Sequence, residues 1–113
     1  MPRSPGVAPR AARWLCALGV AAGLAGGCGP GLPAATPADA TRAHVELAEL
    51  QHGRSLVVSK CGGCHRPPLP SDAGSDAWPS KLDEMSARSH LDANQRRLIE
   101  AYLVTLATRE SRP

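Results

Sequence analysis

Phenylalanine is absent from this 113-residue chain, and aromatic residues make up only 3% of it. Past Trp14, the aromatic side chains are Trp78 and Tyr102 alone. A chain of this length allows one small domain, and one so short and so poor in large apolar side chains rarely buries enough surface to fold unaided. Some other source of buried apolar surface is therefore implied. No run of about 20 apolar residues is present, so nothing is long enough to span a bilayer as a helix. Neither strand-like alternation nor an internal repeat is visible, which leaves an all-α reading. An excess of one charge is also missing. The formal charge of +3 comes from Arg3, Arg10 and Arg13, and from Cys28 onward ten Lys and Arg face ten Asp and Glu. That balance gives no electrostatic case for a nucleic-acid partner.

The three arginines precede Trp14 to Ala25, an uncharged and mostly apolar stretch of 12 residues. Basic residues, a short apolar run and then small residues form the order of a secretory leader, here residues 1–27. Leu24-Ala25-Gly26-Gly27-Cys28 resembles a bacterial lipobox, with Leu24 one position earlier than the usual large aliphatic residue. Cys28 is thus expected to carry lipid and to hold an exported protein at the periplasmic membrane. Ordinary cleavage nearby, with a soluble periplasmic product, is the alternative. Removal of the leader takes Cys16 and leaves Cys28, Cys61 and Cys64, an odd number that acylation of Cys28 resolves. Gly29 to Ala40 holds three prolines, two glycines and four alanines, so 28–41 reads as a flexible tether and 42–110 as the folded domain.

Within that domain a first helix is expected from Thr41 to Ser59, with Leu47, Leu50, Val57 and Val58 on one face. Gly53 interrupts it at a cost of about 1 kcal/mol relative to Ala, so close packing there needs a reason. A proline-rich loop from Arg66 to Asp76 follows. A second helix is expected from Trp78-Pro79 to Ala87, since proline suits a first helical turn. The third starts at Asp92, an N-cap with Gln95 three residues on. It carries the stripe Leu98, Ile99, Tyr102, Leu103 and Leu106.

Cys61-Gly62-Gly63-Cys64-His65 is a C-x-x-C-H sequence, the pattern of covalent c-type haem attachment. Two thiols a short fixed distance apart can add to the vinyl groups on adjacent pyrroles. The next residue then offers an imidazole to the iron, and glycines between the cysteines let the backbone lie close to the ring. One covalent haem c would also supply the missing apolar surface. Competing readings are weaker. A thiol-redox C-x-x-C is expected beside a βαβ pattern, and structural zinc needs four ligands, commonly two spaced pairs. No second pair exists. His44 and His52 read as solvent-facing.

Residues 53–107 resemble a small class I monohaem cytochrome c. That family places a glycine-containing helix before C-x-x-C-H, as Gly53, Leu56 and Val57 stand here, and closes on a helix whose aromatic residue packs against the glycine, as Tyr102 does in Ile99-Glu100-Ala101-Tyr102-Leu103. Trp78-x-x-x-Leu82-x-x-Met85, followed by the Leu91–Leu106 stretch, resembles the cytochrome subunits of periplasmic oxidoreductases, such as those paired with molybdenum sulfite dehydrogenases. The resemblance implies about three helices around one haem. It also implies a thioether from Met85 as second axial ligand opposite His65, with His90 the competing candidate. It implies a loop carbonyl near Pro67, Pro68 or Pro70, Pro68 first, that holds the His65 ring. Trp78, Arg66 and Lys81 are candidates to meet the propionates. The function implied is one-electron transfer between redox partner proteins rather than enzyme chemistry. The alternative is a five-coordinate haem that binds a small ligand or reduces peroxide.

Overall fold

Residues 31–63 and 65–113 are described by the computed structural model. The leader, Cys28 with its expected lipid, and Cys64 lie outside the described residues. Four helices run α1 (Pro37–Ala43), α2 (Leu47–Cys61), α3 (Trp78–Arg88) and α4 (Ala93–Glu110), with a 3-10 turn at Pro70–Asp72. No strand occurs among the described residues, so the all-α class holds.

Helix α4 is the hub. Its N-terminus is closed by the expected box, with Gln95 N–H donating to Asp92 at 2.8 Å and Asp92 N–H donating to the Gln95 side chain at 3.1 Å. All five residues of the expected stripe are buried. Helices α1, α2 and α3 and the 3-10 turn each pack on α4, whereas no Cα of α2 comes within 8 Å of one in α3. The two helices that carry Cys61 and Met85 thus meet through α4 and the shared side-chain core rather than backbone to backbone.

At Gly53, α2 crosses α4 so closely that a Cβ would stand 2.1 Å from the Leu98 carbonyl oxygen and 2.9 Å from Tyr102 Cβ. Only glycine lets the two backbones meet there. The buried side of α2 is Leu50, Gly53, Leu56, Val57 and Cys61. Val58, expected inside, is 51% exposed, because the 100° step from Val57 carries it off the face that α4 covers.

Two expectations about the N-terminal side are corrected. The single helix expected over Thr41 to Ser59 is two helices. His44, with φ of 55°, turns the chain left-handed after α1, and the Val45 N–H reaches back to the Ala40 carbonyl at 3.1 Å. Helix α1 begins at a cap that the sequence does carry: Thr36 and Asp39 bond each other's backbone N–H, with Pro37 in the first turn. The stretch expected as a tether is packed from Leu32 onward. Arg54 donates to the Leu32 carbonyl at 2.9 and 3.1 Å, Tyr102 to the Pro33 carbonyl at 2.7 Å, and Arg109 to the Ala34 carbonyl at 3.2 Å. Burial pushes the Tyr102 hydroxyl up to about 12, so it stays protonated and donating.

Asp39 pins this strap to α4. It is 1% exposed and accepts from Thr36 N–H at 2.9 Å, Thr36 hydroxyl at 2.8 Å, Arg42 at 2.6 Å and Arg109 at 3.0 Å. Burial alone would raise its pKa; the Thr36 bonds and the two guanidiniums outweigh burial and bring it to about 2.

Candidate functional site

The C-x-x-C-H sequence sits where α2 stops. Cys61 is the last helical residue and is buried at 8% exposure. Gly62 follows as the cap, and Gly62, Gly63 and His65 are all exposed. Burial pushes the Cys61 thiol up. That shift disfavours the thiolate on which thiol–disulfide exchange depends.

His65 Nδ1 lies 2.6 Å from the Arg66 carbonyl oxygen. A carbonyl only accepts, so Nδ1 is the donor in this contact, and in the tautomer that carries its proton there the lone pair lies on Nε2, the atom then open to a metal. The expected acceptor was a proline carbonyl, Pro68 first. Arg66 supplies it instead, because the backbone turns immediately after the histidine and brings the next carbonyl under its own ring. Pro68 is buried nearby in the same loop.

The loop is held at both ends. Arg66 pairs with Asp72 at 2.9 Å, and the other Asp72 oxygen accepts from Leu69 N–H at 2.8 Å. The Arg66 guanidinium holds the Asp72 carboxyl below its ordinary range. Trp78 is 1% exposed and donates its indole N–H to the Pro70 carbonyl at 3.1 Å. Trp78 thus anchors the proline turn against α4, Arg66 is engaged by Asp72, and Lys81 stands exposed on α3.

Met85 lies on α3, half-buried and packed against the edge of the core that contains Cys61, Trp78 and Leu82. His90 is exposed with φ of 52°. It occupies the left-handed position after α3, where Leu91 N–H returns to the Ser86 carbonyl at 3.1 Å. Histidine is among the few non-glycine residues enriched there, so a turn role accounts for it. His90→Gly is expected to raise stability by about 0.5–1 kcal/mol and to leave any haem spectrum unchanged. Denaturant unfolding with parallel absorbance checks this, and a spectral change would return His90 to the ligand set. His44 and His52 are exposed, as expected.

Beside the loop, Arg54, Val58, Arg66, Pro67 and Leu69 line a cleft of about 530 Å³ that reaches Gly31 and Leu32. Met85 and Cys61 are not part of its wall. Among the described residues no three His, Cys, Asp or Glu side chains cluster as a metal site. No described helix is long and apolar enough to cross a membrane. No protein-family model, curated protein or solved structure matches the chain.

Proposed function

We propose that this chain is an exported c-type cytochrome, held at the periplasmic membrane through Cys28, which carries one haem on Cys61 and Cys64 and passes single electrons between redox proteins. The observation that carries the reading is the placement of His65. It lies just past Cys61 at the end of α2, and its Nδ1 stands 2.6 Å from the Arg66 carbonyl oxygen, an arrangement in which Nε2 would be the atom offered to a metal.

The donor set fits the group. Cys61 is a buried thiol at the end of α2, His65 an exposed imidazole in the loop after it, and Met85 a half-buried thioether on α3, which packs on α4 as α2 does. When bound, the haem supplies a one-electron Fe(II)/Fe(III) couple. Cys61 and Cys64 would hold the macrocycle, and His65 would ligate the iron with Met85 as second ligand. Trp78 and Leu82, which are buried on α3, and Ile99 and Leu103 on α4 would exclude water. A thioether and an apolar surround both favour a higher reduction potential than two imidazoles in water. The small-class cytochrome fold belongs to the same proposal, supported by the Gly53–Tyr102 crossing.

The test is an absorbance spectrum of protein matured in a periplasm with haem-attachment machinery, oxidised and dithionite-reduced, native and denatured. Sharp reduced bands that survive denaturation are expected, and Cys61→Ser combined with Cys64→Ser should abolish them. A haem-free product from competent cells would end the cytochrome reading. Met85→Ala is expected to remove the far-red thioether band of the oxidised protein and to lower the potential. An unchanged spectrum and potential would take Met85 out of the ligand set and favour an open sixth position.

A further inference from the structure

Because the strap is folded from Leu32 onward, the distance between the expected lipid and the domain is short. From Cys28 to Leu32 there are four residue steps, at most about 14 Å of extended chain. Helix α4, with 18 residues, is about 27 Å long. A domain of that size on such a leash cannot present any face it likes to the bilayer. The side that holds Leu32 must lie against it.

That side has its own chemistry. Val58 is the large apolar side chain left exposed among the described residues. It shares the cleft with Leu69, Pro67 and two guanidiniums, Arg54 and Arg66. Arg54 spends two donors on the carbonyl of Leu32, four residues past Cys28, and Arg66 spends one on Asp72 and one on Pro67. Each guanidinium has five N–H donors, so both have donors to give to phosphates. An apolar side chain flanked by arginines suits the headgroup level of an anionic membrane.

We propose that the domain docks on the anionic membrane surface through the face formed by Leu32, Arg54, Val58 and Arg66. This rests on the lipidation of Cys28 in the reading above. Met85 does not line the cleft, and docking through this face would fix the orientation in which redox partners meet the protein.

The full chain, matured in haem-competent bacteria and purified from their membranes, is treated with an arginine-selective dicarbonyl in detergent and again in vesicles containing phosphatidylglycerol. Mass spectrometry compares Arg66 with Arg88, an exposed residue at the end of α3. Arg66 modification should fall several-fold relative to Arg88 in vesicles. A Gly/Ser spacer of about twenty residues, inserted between Gly31 and Leu32, should restore it. An unchanged ratio on acylated protein overturns the docking alone. Protection already complete in detergent would put the chain's own acyl group in the cleft and also overturns it. A Cys28 peptide without acyl mass removes the lipidation reading, and the docking with it.

Discussion

Gly53→Ala is expected to destabilise the domain by about 3 kcal/mol or more. Two effects oppose each other. Alanine gains about 1 kcal/mol of helix propensity over glycine. The new Cβ, however, would stand 2.1 Å from the Leu98 carbonyl oxygen and 2.9 Å from its carbon. Neither atom is the end of a flexible side chain, so α2 and α4 must move apart as whole helices. That displacement loosens Val57, Tyr102 and Leu103, all fully buried, and exposes the junction on which most of the fold depends. Thermal unfolding of the parent and the variant, prepared identically, reads the result, at roughly 4–8 °C per kcal/mol for a domain of this size. A melting temperature within a few degrees of the parent would mean that the helices do not cross backbone to backbone at Gly53.

Acid should release the N-terminal strap. Asp39 has a folded pKa of about 2 against an ordinary 3.8. A lowered pKa stabilises the fold where the unfolded chain is also ionised. The contribution is therefore fully present above about pH 4 and lost as pH falls through about 2. It amounts to about 2–3 kcal/mol. Asp39→Asn removes the charge at every pH and leaves Arg42 and Arg109 facing a neutral amide. Those guanidiniums are 25% and 33% exposed, so water takes part of the deficit. The cost at pH 7 is expected near 2 kcal/mol, below the range for a fully buried pair. Denaturant unfolding of both proteins across pH checks the assignment. The parent should lose stability more steeply than the variant between pH 4 and 2, and parallel acid limbs would sink it.

Much of the fold was legible locally. The Cys61–His65 spacing is what the proposed haem attachment rests on, because two thiols and one imidazole at those intervals have few other uses. The Asp92–Gln95 box and the stripe from Leu98 to Leu106 announced α4, since capping and helical periodicity act within a few residues. Gly53 announced a close approach by standing where a helix tolerates glycine poorly, although it could not say against what. The Thr36–Asp39 cap was equally local and was masked by proline- and alanine-rich surroundings that read as linker.

The sequence by itself determined the helical class, the start and inner face of α4, and the start of α3. Tertiary structure decided that the strap is part of the domain, that Val58 faces out, and that Arg66 rather than a proline orients His65. The physical reason is range. Caps and periodicity are satisfied by neighbours along the chain. The carbonyls of Leu32, Pro33 and Ala34 find their donors 22, 69 and 75 positions away. No local pattern in the strap reports that Arg54, Tyr102 and Arg109 will converge on it once α2 and α4 have packed.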